Sequence, residues 1–472
     1  MKKKSFVCLI VLFSMLSVPL SVHAIDNSPV WLSTQFDFSP AGARARGFGG
    51  AFVGLADDAT AALINPAGLA QLPKKQFALE FSFKNNSSDD FPWVIENYNI
   101  DEVATLDREN INSISFLSFS LPVSGNLYGA MFYNNLAQYE SSTFIPETST
   151  SPGFEGKNDL NLDELGISIA LKLGNDKLKI GAGISVVHMD LDAQSQMFME
   201  NYSDAEKISS SSGDYGMAYR VGGLWQANEC LRIGASANIY PTLDVPTQIR
   251  NRTSSAVDTK NRMDYFLSTF ELIDFQDDVS LNEELGIPDV FSAGASYQLG
   301  DHLTFSFEAR LTMYSQIEIN GIPPSPYRTG EINNTELWNP DSIAPFGQLY
   351  VEFTPDQFKY EDAWSWHFGG EYLMLVKSTP VAFRLGGYYE QAHGLKYTGK
   401  ESDYSNDSGN KDEPYAYAGY PTVFADMLDG GDDLWHFTPG IGAVFNNRYQ
   451  IDLAVDLSKE TDECLISFVY QF

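Results

Sequence analysis

From Phe77 onward the chain repeats one device: a run with an apolar side chain at every second position, a connection, then another run. In the first run Phe77, Leu79, Phe81 and Phe83 alternate with Ala78, Glu80 and Ser82. Leu165, Ile167, Ile169, Leu171 and Leu173 alternate with Gly166, Ser168, Ala170 and Lys172. Leu303, Phe305, Phe307, Ala309 and Leu311 do so with Thr304, Ser306, Glu308 and Arg310. Period two belongs to a β-strand, whose successive side chains point to opposite faces. A slip of one residue would exchange those faces, so each run fixes its own orientation.

The connections order the strands. Short turns fall at 122–126, 174–177, 227–229, 300–302, 377–380 and 446–448. Long polar stretches near 84–111, 139–162, 191–214, 241–286, 315–362 and 393–433 alternate with them strictly. Fourteen runs result, at 76–84, 111–121, 126–138, 164–173, 177–190, 215–225, 230–240, 288–299, 302–314, 363–375, 380–391, 434–445, 448–457 and 463–472. An even count returns the chain to its starting side, and short turns on one side with long loops on the other fit an outer-membrane barrel. A soluble β-sandwich shares the alternation but not that rhythm. The expected fold is therefore all-β, a 14-stranded antiparallel transmembrane β-barrel over residues 76–472.

The first residues read differently. Lys2, Lys3 and Lys4, an apolar run from Phe6 to Leu20, and Val22-His23-Ala24 make a secretory signal peptide over residues 1–24. Removing its three lysines takes the formal charge from −32 to −35. Such acidity argues against a nucleic-acid partner, which needs basic patches. Aromatic residues reach 13%, with 24 Tyr and 32 Phe, the material of interfacial girdles.

Between signal and strands lies a small, Gly/Ala-rich segment, residues 42–69, with Gly42, Gly47, Gly49, Gly50 and Gly54. Asp57-Asp58 is expected to open a short helix that Pro66 ends. The piece is too small to fold alone and must pack inside something larger. Residues 56–70, ADDATAALINPAGLA, resemble the signature of the outer-membrane long-chain fatty acid transporter family of the FadL/TodX/OMPP1 type. The resemblance implies a barrel plugged by an N-terminal hatch domain over residues 25–75, with Asp57, Asp58, Asn65, Pro66, Ala67 and Gly68 as hatch motif. It implies passive uptake of long-chain fatty acids or other hydrophobic compounds, by capture, passage through an apolar pocket, and exit past the hatch or sideways at a kinked third strand. The stretch GFGGAFV also resembles barrel proteins of the type IX secretion system, so a non-transporting scaffold barrel is the alternative.

Candidates for each step follow. Phe266, Phe270 and Ile273 would share one helix face, as an exposed capture groove or as packing on the barrel rim. Gly129 and Asn134-Asn135 interrupt the third run and mark a lateral opening or an ordinary strand end. The lead-in at 25–38 either reaches into the pocket or lies disordered. By alternation Glu80, Lys172, Lys179, Arg220, Arg232, Glu308, Arg310, Glu371, Arg384, Glu390, Asp452 and Asp456 point inward, where charges need partners. One reading ties them to Arg44, Arg46, Asp57 and Asp58; the other lets Arg310 or Arg384 meet a substrate carboxylate.

No catalytic site is expected. His188, His302, His367, His393 and His436 lack metal-ligand spacing, no GxSxG or P-loop occurs, and DGGDD at 429–433 reads as a solvated loop rather than a cation site. Neither a cofactor nor a bound metal is expected. Cys230 and Cys464 fall at opposite ends of the barrel and should be free thiols. The expected partners are a hydrophobic small molecule, outer-membrane lipid and lipopolysaccharide, and the assembly machinery through the C-terminal Phe472; the barrel is expected to be a monomer.

Overall fold

The computed structural model describes residues 41–86, 89–92, 103–145, 153–174, 176–199, 202–251, 279–317, 358–398 and 430–472. The signal peptide, the lead-in at 25–38, the loop carrying Phe266, Phe270 and Ile273, and Asp429 lie outside the described residues.

Fourteen antiparallel strands close into one barrel: β1 Gln76–Asn86, β2 Ile111–Pro122, β3 Leu127–Ile145, β4 Gly153–Leu173, β5 Leu178–Met199, β6 Tyr215–Gln226, β7 Leu231–Ile239, β8 Val290–Leu299, β9 Leu303–Thr312, β10 Ala363–Val376, β11 Thr379–Glu390, β12 Leu434–Phe445, β13 Tyr449–Leu457 and β14 Thr461–Gln471. β14 pairs with β1 from Gln76↔Gln471 to Asn86↔Thr461, which removes any open edge. The alternation sets the faces. Leu165, Ile167 and Ile169 of β4 are exposed outward, whereas Gly166, Ser168 and Ala170, which alternate with them, are buried. Outward Trp225, Tyr372, Tyr449 and Phe472 gather at the short-turn end, and Tyr215, Trp364 and Trp435 at the other, as two girdles bounding an apolar band.

The fourteen runs correspond to the fourteen strands, but three strands outgrow them. β3, β4 and β5 have 19, 21 and 22 residues. Strands Tyr202–Ser212, Thr242–Asn251 and Val279–Gly286 continue that sheet, and Asp89–Pro92 with Val103–Arg108 adds a hairpin beside β3. Stretches expected as polar loops are thus partly strand. Beyond the lipid band no apolar outer face is required, so the alternation that reveals a strand is lost there.

Residues 41–75 lie within the ring of strands. Phe48, Phe52, Val53, Leu55 and Leu69 are completely or almost completely buried, each side chain stabilising by about 1.5–3 kcal/mol. The segment forms a one-turn helix α1, Ala43–Gly47, a second one α2, Ala61–Ile64, and a 3-10 helix at Pro66–Gln71. The expected short Ala-rich helix does stop ahead of Pro66, at Ile64, but it begins at Ala61 rather than at Asp57-Asp58. Asp58 instead accepts from Thr60 N at 2.9 Å and Thr60 Oγ1 at 2.5 Å, holding a turn ahead of α2. Pro66 begins the 3-10 helix, where its fixed φ and missing N–H are harmless.

Candidate functional site

The internal segment is held by charge. Glu80 of β1 accepts from Gly42 N at 2.8 Å and Ala43 N at 2.5 Å, and Glu308 of β9 from Phe52 N at 2.9 Å and Val53 N at 2.8 Å. Both carboxylates thereby satisfy backbone donors that a short, irregular segment cannot satisfy itself. Arg46 donates to Asp456 and Glu463, each at 2.8 Å. Arg384 bridges Glu371 at 2.7 Å and Asp452 at 2.6 Å. Arg44 pairs with Asp57 and approaches Asp58 and Glu371 at 3.5 Å. A cleft of about 250 Å³ opens beside this group, lined by Arg44, Asp57, Glu371, Arg384, Gln450 and Asp452.

Burial presses the Asp57 pKa upward, but Arg44 and Arg232 outweigh it and hold the carboxyl below its usual range. At Asp58 burial prevails over Arg44 and the Thr60 hydrogen bonds, and the pKa is raised. Burial disfavours the Arg44 charge, yet Asp57, Glu371 and Asp58 raise its pKa well above the ordinary value.

Asn65 is fully buried at the joint between α2 and the 3-10 helix. Its side chain donates to Val53 O at 2.9 Å and Gly223 O at 3.1 Å and accepts from Ala67 N at 3.2 Å. It thus joins two turns of the segment to β6. Gly222 sits directly behind it: a Cβ there would overlap Asn65 Oδ1. Gly386 of β11 is pressed equally close to Gly49 N. Gly68 packs its Cα against Ala56.

Above the segment, away from the short turns, the inner wall becomes apolar. Leu136, Ala137 and Tyr139 of β3, Leu160 and Leu162 of β4, and Val187, Met189, Leu191 and Ala193 of β5 form a buried cluster with Leu243, Val245, Leu285, Ile287 and Tyr314. At its floor lies the buried Arg220–Glu164 ion pair, the Arg220 guanidinium 4.8 Å from the Phe132 ring centroid.

β3 is interrupted at this level. Its ladder to β2 stops at Phe116↔Asn134, and pairing on that side resumes only at Arg108↔Ser141. Opposite, the register to β4 shifts between Asn135 and Ala137, and the bulge turns both Leu136 and Ala137 inward. Outside, Asp163 accepts from Tyr133 at 2.6 Å, Asn135 at 3.1 Å and Asn161 at 2.6 Å. Gly129, by contrast, sits in regular pairing with Leu121 and Ile169. The irregularity lies at Asn135, next to buried Asn134.

Arg310 and Arg384 point inward, each onto a wall carboxylate: Arg310 reaches Glu308 at 2.9 Å. Alternation passed over Glu164 and Glu463 because each stands at the outer edge of its apolar run. Tyr388 stacks between His367 and His436, His367 Nδ1 lies 2.6 Å from Gly49 O, and His436 Nδ1 lies 2.9 Å from Asp456. Asp432 pairs with Lys459, and Asp433 accepts from Tyr389 and Ala392 N. Among the described residues no cluster of His, Cys, Asp and Glu could hold a metal ion, and Cys230 and Cys464 are free.

A closed fourteen-stranded barrel with an apolar, girdled exterior is an outer-membrane protein. Over residues 36–393 the chain matches the family described as "Outer membrane protein transport protein (OMPP1/FadL/TodX)", and it belongs to that family. The family consists of transport channels, not enzymes. Among solved structures, a Pseudomonas aeruginosa FadL homologue is similar at 12% identity, covering 93% of this chain and 99% of its own, with a TM-score of 0.58. The Pseudomonas putida toluene transporter TodX matches at 14% identity, 93% and 100% coverage and a TM-score of 0.58. The Ralstonia pickettii toluene transporter TbuX matches at 14%, 92% and 99%, with a TM-score of 0.55. No curated protein matches the sequence.

Proposed function

We propose that this barrel carries hydrophobic compounds inward across the outer membrane, with long-chain fatty acids as the substrate class and residues 25–75 as its hatch. The observation that carries the reading is the buried apolar cluster directly above the internal segment, lined by Leu160, Leu162, Val187, Met189 and Leu191. A lumen built for ions or sugars would be lined with polar groups at that level. TodX and TbuX are described as toluene transporters, which supports a hydrophobic cargo. The unpaired stretch of β3 beside Leu136 and Ala137 supports a lateral route into the membrane at Asn134-Asn135. In this reading Asp57, Asp58, Asn65, Pro66, Ala67 and Gly68 hold the hatch closed. Arg310 and Arg384, both committed to carboxylates, brace it rather than contact cargo. Phe472 serves assembly of a monomeric barrel among lipid and lipopolysaccharide.

The test is uptake of labelled oleate and labelled toluene by a transporter-deficient host expressing the chain at verified outer-membrane levels. Oleate accumulation above vector supports the fatty-acid reading. Toluene without oleate moves the cargo to small aromatics, and neither removes transport of either class.

A further inference from the structure

One gap interrupts the lipid-facing surface of β9 to β11. The outward row of β10 reads Trp364, Trp366, Phe368, Gly370, Tyr372 and Met374, so a single position in a bulky row lacks a side chain. In register, Gly370 stands between Phe305 of β9 and Leu385 of β11, and Tyr372 between Leu303 and Phe383. Phe305, Phe368, Tyr372, Phe383 and Leu385 are about half-exposed on the outer face. Together they leave an open groove of about 680 Å³ with Gly370 at its floor. The two adjacent glycines of β10 have different causes. Gly369 faces inward, where a Cβ would overlap Phe48 of the internal segment. Gly370 faces the other way, and a Cβ there would meet nothing closer than the Phe305 ring at 3.4 Å. Internal packing therefore accounts for Gly369 but not for Gly370, although a glycine weakens a strand interior.

The place of the groove says what covers it. It lies on the short-turn side of the Trp364 and Trp435 girdle, within the apolar band, where lipid chains are the solvent. From Phe368 to Lys377, at the turn after β10, the chain advances about 30 Å along a strand tilted about 40°, or about 23 Å along the membrane normal. Half a bilayer with its headgroups is about 20–22 Å. The track thus has the length of one lipid of the leaflet that the short turns face, with Lys377 at the headgroup. Lys377 is exposed and forms no ion pair among the described residues, Asp301 of the neighbouring turn included. It takes a φ of 61°, a conformation in which glycine would cost less. The short-turn end as a whole is basic. Exposed Lys74, Lys75, Lys177, Lys377 and Arg448 stand there against Asp176, Glu229 and Asp301, in a chain with 62 Asp and Glu to 30 Lys and Arg. An anionic headgroup meets complementary charge at that level.

We propose that the groove over Gly370 is a binding site for one anionic glycerophospholipid of the periplasmic leaflet. An acyl chain lies on Gly370 between Phe305 and Leu385, and the phosphate stands beside Lys377. The rings of Phe305, Phe368 and Phe383 grip the chain, and a side chain at position 370 would take its place. The site is independent of cargo transport, whose proposed lateral route opens at β3 on the opposite side of the ring.

The experiment compares the wild-type protein, Gly370→Leu, Gly370→Ala and Lys377→Gln, each checked for folding by heat-modifiable migration. Native mass spectrometry on the detergent-purified barrel titrates phosphatidylglycerol, phosphatidylcholine with the same acyl chains, and inorganic phosphate. The wild type should retain one phosphatidylglycerol and prefer it about fivefold over phosphatidylcholine. Gly370→Leu should weaken both lipids about tenfold, and Gly370→Ala both by less. Lys377→Gln should bring phosphatidylglycerol down to the level of phosphatidylcholine and leave the latter unchanged. Lipid binding by Gly370→Leu equal to that of the wild type overturns the site, as does a wild type that retains no lipid. Equal affinity of the wild type for the two lipids overturns the anionic headgroup. Inorganic phosphate bound as tightly as lipid overturns the part given to the acyl chain. Lipid-free dimers that Gly370→Leu dissociates replace the lipid with a second copy of this chain. Should Gly370→Leu fail to fold, Gly370→Ala and Lys377→Gln decide by the same readings.

Discussion

Two sectors of one wall treat buried charge in opposite ways. Along β10 to β14 the buried arginines are matched: Arg384 of β11 by Glu371 and Asp452, and Arg46 of the internal segment by Asp456 and Glu463. At the short-turn ends of β4 to β7, Lys172 and Lys179 face each other and Arg232 shares Asp57 with Arg44, whereas the matched Arg220–Glu164 pair of the same strands lies farther from the turns. Charges that hold an internal segment to a wall must be neutralised by partners in the same molecule, because an unpaired charge there costs several kcal/mol. The first group therefore reads as architecture, and the second as charge that the fold holds with weaker pairing at the short-turn rim.

The sharpest way to break this contrast is to remove a cation from the matched sector. Arg46→Met strands Asp456 and Glu463, which are 3% and 5% exposed. We expect a loss of about 3–5 kcal/mol, read as a lower temperature for the heat-modifiable shift of the purified barrel. A variant as stable as the parent would show that the carboxylates do not depend on Arg46, and the distinction between sectors would fall.

A smaller effect tests the seam between segment and wall. Gly222→Ala places a methyl group where Asn65 Oδ1 now lies, and either β6 or the NPA turn must move. The expected cost is about 1–3 kcal/mol, with faster amide exchange at Ala67, whose N–H is bonded to Asn65. Unaltered exchange there would mean that the turn is not seated through Asn65.

Much of this was legible in the sequence, and the illegible parts have identifiable causes. The lipid band imposes an apolar outer face, so the strands and the inward positions of Glu308, Arg310, Asp452 and Asp456 follow from alternation. Beyond the band the constraint lapses, which hid the outer ends of β3 to β5 and their sheet extension. Glu164 and Glu463 were missed because they stand where the pattern begins. The glycines behind Asn65 and Gly49 occupy inward positions, where a side chain would normally be expected. A glycine at such a position signals close backbone approach, but only after the segment's place is known. The course of residues 56–70 was the weakest reading: Asp58 bonds locally to Thr60, a preference that competes with helix.

Acid titration distinguishes two carboxyls of the same turn. Asp57 titrates below its unfolded value of about 3.9, so its stabilising contribution is complete above that pH and disappears as pH falls through its lower folded value. Asp58 is raised, so its ionised form opposes folding near neutrality and is relieved as pH falls. Asp57→Asn should therefore be less stable than the parent at pH 7 and converge with it in strong acid, whereas Asp58→Asn should lose less at pH 7. The thermal transition measured from pH 7 to pH 2 checks both. Curves that stay parallel for Asp57→Asn would mean that Arg44 and Arg232 do not hold its charge in solution.

The smallest expected change has the opposite sign and bears most directly on the comparison. If Lys179 were part of the architecture, removing its charge would weaken the barrel as Arg46→Met does. Its present surroundings include an opposed Lys172 and near-complete burial, which work against an ammonium, and the Asp176 carbonyl, which favours it. Lys179→Gln shortens the side chain by one atom, retains a polar N–H donor and deletes the repelling charge. We expect stability unchanged or higher by up to about 1 kcal/mol, measured by the same thermal shift. A loss comparable to that of Arg46→Met would place Lys179 among the structural charges, and the two sectors would then differ in geometry but not in kind.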